Sequence, residues 1–397
     1  MHAQPAPRDA TLDLLRSWSI TSVILFHVLH GIMRFAPQED IPRLVDSFPM
    51  WMNFTWQPLG VDVIFVVSAY LLMLYLLQEL RDAGRINLKS YYVRRVSRII
   101  PLYYLAVVIF ALAQGDSLGD VALAFLFIEF LLTGSAIVPV GWSMELMMLV
   151  YLALPALAWG IYTARRPFLW LGLAIAGSIA IRIIPLWGEP VVATTLFTHL
   201  LARDGVMPQA NALYFAPWFR VTPFLVGAGI AALVVLRPAF TAALGRTAGR
   251  RIALYSAAAV LMLFSIFLPV HDANSFIYAV TGPTFWTLYW TTNIGLFSIA
   301  TALVMLARHG QSLRIPGPWA MISRNIMGIY LFHMPMIVIG AEIVFRTDDA
   351  AVLGSATVYH VLGIFAIALM LSLGLAALLN RWIETPTQRA LRRRFNV

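Results

Sequence analysis

The stretch Arg16–Ile32, RSWSITSVILFHVLHGI, decides the class of this protein. From Ser17 to Ile32 the only ionisable side chains are His27 and His30, and apolar residues continue on both sides. Together they approach the roughly 20 residues a helix needs to cross a bilayer. The run is too long for a secretion-signal core and ends in no small-residue cleavage site, so it is expected to persist as an uncleaved first span.

The pattern recurs along the chain. Reading apolar runs between charged or Pro/Gly-rich breaks gives eleven candidates, beginning near Leu14, Leu59, Ile99, Gly119, Trp142, Phe168, Leu213, Ile252, Trp286, Ile322 and Leu353. Composition agrees: 60% of residues are hydrophobic and 12% charged, against roughly 45–50% and 25% in soluble domains. The absence of cysteine removes disulfides, thiolate nucleophiles, iron–sulfur clusters and cysteine zinc sites, and no metal site is read here. The net charge of +9 is carried by arginine, Lys89 being the only lysine. Those arginines fall in short loops rather than on one polar face, which argues against nucleic-acid binding.

Arginine clusters lie at 81–98, 165–166, 237–251, 308–324 and 389–394, while Glu39, Asp40, Asp46, Asp116, Asp120, Asp348 and Asp349 mark the opposite loops. The positive-inside rule puts the basic loops in the cytoplasm. Eleven crossings cannot satisfy that pattern, but ten can if residues 119–162 contribute one crossing. The expected fold is therefore all-α: a polytopic helical bundle of about ten transmembrane helices with both termini cytoplasmic. Gly119 to Thr133, short and interrupted by Glu129, is read as a re-entrant or surface helix. One membrane domain, residues 1–397, is expected to end in a basic cytoplasmic tail, 387–397. The polar stretch 187–211, with His199, Arg203 and Asp204, reads as either an entrance cap or a connecting loop.

Ionisable side chains inside a span are costly and tend to face a cavity and work there. Eleven residues separate Arg16 from His27, which brings both to within about 20° of one helix face, some 16 Å apart along the axis. Histidine suits taking a hydroxyl proton at neutral pH and returning it, although a lone intramembrane histidine also serves as an interhelical contact. The same charges would equally mark a transport path, so a transporter or exporter of a small polar or glycan substrate is the rival class.

Short motifs then follow in order. Gly60, Val61 and Asp62 precede Phe65 and Ser68, and Tyr91 to Tyr104 reads YYVRRVSRIIPLYY. Trp142, Ser143, Met144 and Glu145 precede Tyr151 and Pro155; Arg220 precedes Phe224 and Gly227; Tyr330, Leu331, Phe332, His333, Met334 and Pro335 precede Glu384 and Pro386. With Arg16 and His27 in the first span, this series resembles the acyltransferase 3 family of membrane acyltransferases over residues 13–386. Two positions depart from it: Met147 stands where many relatives carry a second acidic residue, and Ala69 where glycine is usual. Both bear on the acceptor pocket rather than the donor side.

The resemblance implies transfer of an acyl group, acetyl foremost, from acyl-CoA to a hydroxyl of a carbohydrate acceptor in a bacterial cytoplasmic membrane. Acyl-CoA is then a co-substrate and no bound cofactor is expected. His27 would be the base. Arg16, Arg94, Arg95 and Arg98 could take the phosphates, since the guanidinium fork pairs with phosphate, or the cluster could simply hold its loop inside. Asp62 could orient His27 or pair with Arg95 or Arg98. Glu145 could exchange a proton, hold a sugar hydroxyl or partner Arg220. His30, Ser68, Trp142, Ser143, Arg220, Tyr330 and His333 are candidate acceptor or cavity-lining residues.

Overall fold

The computed structural model describes residues 9–47, 59–183, 215–267, 276–311 and 315–397. The stretch 187–211, read above as a cap or a loop, lies outside them. Among the described residues the chain is helical, with no strand.

The helices are α1 Ala10–Phe35, α2 Ile41–Ser47, α3 Gly60–Ala83, α4 Leu88–Gln114, α5 Leu118–Phe125, α6 Glu129–Thr133, α7 Gly141–Thr163 and α8 Pro167–Ala180. They continue as α9 Thr222–Leu236, α10 Pro238–Gly245, α11 Ala248–Phe267, α12 Phe276–Arg308, α13 Gly317–Arg324, α14 Ile326–Phe345, α15 Val358–Leu379 and α16 Thr385–Phe395. Eight are long and apolar enough to cross a bilayer, nine if α9 and α10, bent by 104°, form one span. This is an integral membrane protein.

The expectation of about ten spans therefore differs from the eight or nine seen among the described residues. The run from Phe168 yields a helix of only 14 residues, roughly 21 Å at 1.5 Å per residue. The run from Leu213 yields the bent pair, broken at Arg237 before Pro238, where the proline ring excludes α conformation for the residue before it. Residues 119–133 form no span: α5 and α6 are 8 and 5 residues long, separated by Phe127 with φ 58°.

Packing follows small residues. A Cβ added at Gly227 of α9 would stand 2.3 Å from the Val66 carbonyl oxygen of α3, so only glycine lets those two helices meet as they do. Gly60, at the start of α3, sits against Ser19 and Val23 of α1. The Ser19 hydroxyl donates to the Gly60 carbonyl.

Proline placement ties α4 to α7. Pro155 has no N–H, so the Tyr151 carbonyl one turn earlier loses its helical donor. The Tyr91 hydroxyl donates to it across 3.0 Å, and Tyr92 donates to the neighbouring Leu152 carbonyl at 3.1 Å. This fastening fixes the face of α4 on which Arg95 lies, one turn beyond Tyr91.

Candidate functional site

His27 of α1 meets His333 of α14: His27 Nδ1 stands 3.0 Å from His333 Nε2. The other nitrogen of His333, Nδ1, lies 2.7 Å from the Tyr330 carbonyl oxygen. A carbonyl only accepts, so His333 Nδ1 carries a proton; in the neutral ring Nε2 is then an acceptor. His27 must therefore donate from Nδ1, which leaves its Nε2 as a lone pair. That is the tautomer a general base requires, held by a histidine where other sites use a carboxylate.

Tyr330 reaches the second part of the site. Its hydroxyl is 2.7 Å from Ser143 Oγ, and Ser143 donates to the Val140 carbonyl at 2.8 Å. Ser143 has one proton to give, so Tyr330 is the donor to Ser143. Both side chains line a cavity whose wall also includes Arg16, Arg95, Arg98 and Ser68. On α3 the wall runs from Val61 to Leu72, about 16 Å of helix. His333 follows Tyr330 by three residues on α14, so Tyr330 touches both the cavity and the imidazole pair.

Arg16 is held by Asp13 at 3.7 Å, and Asp13 accepts from the Ser323 hydroxyl at 2.6 Å. Asp13 is buried. Its support of Arg16 was not read from the sequence, where the i,i+3 spacing on a helix was the available sign.

Asp62 does not pair with His27, Arg95 or Arg98. Its two oxygens accept from Arg220 Nη1 at 2.9 and 2.8 Å, with both side chains buried. The Arg220 guanidinium also lies 5.7 Å from the centre of the Trp142 ring. Trp142 packs beside Phe215 at 4.8 Å.

Glu145 is likewise not the partner of Arg220. Its carboxylate accepts the backbone N–H groups of Phe130 at 2.9 Å and Leu131 at 3.4 Å, capping the first turn of α6, whose amides lack helical partners. Beside it, buried Glu129 accepts from the Ile137 N–H at 2.9 Å, while its Oε2 has no hydrogen-bond partner. Burial raises the Glu129 carboxyl to about 7; the Ile137 hydrogen bond opposes this, and the charges of Glu145, Asp116 and Asp120 add to it.

The structure thus gathers Arg16, Arg95, Arg98, Ser68, Ser143 and Tyr330 around one cavity and His27 with His333 beside it. Met147, expected on the acceptor side, lines the same cavity as the arginines. His30 lies 6.5 Å from His27 between ring centres, and its buried Nδ1 has no hydrogen-bond partner. Arg94 stacks over the Tyr75 ring at 5.5 Å. Asp62, Arg220, Trp142 and Glu145 form the supporting contacts just described.

The Acyl_transf_3 family model, described as an acyltransferase domain, matches residues 9–381. This chain belongs to the acyltransferase 3 family. Among curated proteins it is similar to the peptidoglycan O-acetyltransferase OatA of Listeria monocytogenes, 28% identical over 102 residues, 25% of this chain and 12% of the relative. A Staphylococcus aureus (strain COL) protein named "Putative O-acetyltransferase" is 35% identical over 91 residues, 21% of this chain and 14% of the relative. The matched part of the chain therefore spans about one seventh or less of those relatives' length. No solved structure matches the chain.

Proposed function

We propose that this acyltransferase 3 family member is a membrane O-acyltransferase that moves an acyl group, acetyl foremost, from acyl-CoA to a hydroxyl of a glycan acceptor. The observation that carries the reading is the chain of contacts from His27 Nδ1 to His333 Nε2 and from His333 Nδ1 to the Tyr330 carbonyl, from which a lone pair on His27 Nε2 follows. The arginine-walled cavity supports an anionic donor. Relatives named as O-acetyltransferases, one of them for peptidoglycan, support a sugar hydroxyl as acceptor.

In this reading Arg16, Arg95 and Arg98 hold the phosphates of the donor, and the pantetheine arm runs along the cavity toward Tyr330 and the imidazoles. His27 Nε2 takes the proton of the acceptor hydroxyl as its oxygen attacks the thioester carbonyl. The tetrahedral intermediate collapses, the carbon–sulfur bond breaks, and the imidazolium returns its proton to the departing thiolate. His333 accepts the His27 Nδ1 hydrogen bond throughout and keeps the ring oriented.

The test is release of free CoA thiol by the purified protein given acetyl-CoA and glycan fragments, with acetylated product identified by mass spectrometry. Acceptor-dependent thiol release is the expected result. Flux of a glycan substrate across proteoliposomes without acyl-CoA, and no thiol release, would place the protein with the carriers instead.

A further inference from the structure

The family match ends at residue 381, and α16 lies beyond it. After the π-helical turn Asn380–Glu384, α16 packs back against α4, the helix that supplies Arg95 and Arg98 to the cavity wall. Thr385 and Pro386 start the helix, with proline in its first turn where no backbone donor is needed. The last turn carries Arg392, Arg393 and Arg394.

The docking puts like charges together. Arg392 has Arg94 and Arg98 as its electrostatic neighbours, and its charge also reaches Arg95. Glu384 faces Arg98. None of Arg94, Arg95, Arg98 and Arg392 makes an ion pair within 4.0 Å among the described residues. The Arg95 Nε is buried with no hydrogen-bond partner. The α4 guanidiniums are half-buried and Arg392 is exposed beside them; like charges repel there, and the unfilled buried donor of Arg95 carries a desolvation cost. A group with several anionic oxygens removes both penalties, because the guanidinium fork matches phosphate geometry.

We infer that α16 is part of the donor site: Arg392 joins Arg94, Arg95 and Arg98 to bind a phosphate ester at the nucleotide end of the donor. This rests on the acyltransferase reading above and extends it. The arginines of α4 belong to a helix fixed by Tyr91 and Tyr151, whereas Arg392 sits on α16, which follows a π turn. A bound phosphate would therefore stitch α16 to α4. The same chemistry could come from an anionic lipid headgroup, so the experiment separates the two sources.

The full-length protein is placed in phosphatidylcholine nanodiscs, and CoA and 3′-dephospho-CoA are titrated by calorimetry. Arg392→Glu is expected to weaken CoA binding about tenfold or more, the scale of one charge-assisted contact, and Arg392→Gln to weaken it less. A smaller effect on 3′-dephospho-CoA would assign Arg392 to the 3′-phosphate. Arg165→Glu, an exposed charge between α7 and α8, should leave binding unchanged. Because Arg392→Gln adds no repulsion, unchanged unfolding temperature in that variant guards against misfolding.

CoA affinity equal to wild type in both Arg392 variants would overturn the inference. So would a loss seen only in nanodiscs containing phosphatidylglycerol, which would make the lipid the occupant. Wild-type protein that binds no CoA would instead overturn the acyltransferase reading itself.

Discussion

His27 and His333, 306 positions apart in the chain, share a single proton between Nδ1 and Nε2 across 3.0 Å. The direction of that bond is set on the other side of the His333 ring, at the Tyr330 carbonyl. His333→Ala should lower kcat by about 10- to 100-fold while leaving KM for the donor near wild type, since the lost contact orients a base rather than binds substrate. His333→Gln, whose amide oxygen can still accept from His27, should recover part of the loss. Equal activity in the Ala and Gln variants, or a change confined to KM, would contradict the orienting role. Steady-state kinetics of the purified variants decides it.

The Asp62–Arg220 pair is almost wholly removed from solvent, the two side chains being 0% and 1% exposed. Asp62→Ala removes the carboxylate that accepts twice from a buried guanidinium and should cost about 3–5 kcal/mol. Replacing both residues with apolar side chains should cost less than the single change. Thermal unfolding in detergent measures this; a single variant as stable as wild type would show that the pair carries no such cost.

Glu129 gives the protein a stability that depends on pH. Its folded-state value, about 7, lies above the ordinary 4.5, so the folded protein holds this proton more tightly than the unfolded chain. The contribution is fully present below pH 4.5 and is lost as pH rises through 7. Glu129→Gln keeps the neutral form at all pH values, so its unfolding temperature should fall less than that of wild type across this window. Parallel pH profiles for the two proteins would remove Glu129 as the source.

Tyr91 fills the acceptor that Pro155 leaves open at Tyr151. Tyr91→Phe should destabilise by about 1–3 kcal/mol, the cost of an unmet buried carbonyl. In a Pro155→Ala background the helix supplies an N–H to that carbonyl, and the same change should cost less. A double-mutant cycle with no coupling would break the link between proline and tyrosine.

The membrane class was legible because long apolar runs have few alternatives, and the first of those runs is the helix that carries both Arg16 and His27. Arg16, Arg95 and Arg98 were singled out by residue type and meet at one cavity. Partner choice was not legible. Asp62 had two arginines, Arg95 and Arg98, and a histidine as candidate partners in the sequence, and only the α3–α9 crossing permitted by Gly227 selects Arg220. Glu145 gave no local sign of its role, because the amides it caps belong to a helix folded back beside it. No spacing rule predicts a contact such as His27 with His333, which depends on how α1 and α14 pack. Hydropathy also does not see breaks such as the 104° bend between α9 and α10, which decides whether eight or nine spans are counted among the described residues.

His27 Nε2, left as a lone pair when Nδ1 donates to His333, is proposed to take the acceptor's proton. The most direct measurement is single-turnover acyl transfer from acetyl-CoA by purified His27→Ala protein whose unfolding temperature and CoA affinity match wild type. Removal of a general base should slow transfer by about 10²- to 10⁴-fold with donor binding intact. Transfer at the wild-type rate would contradict the account.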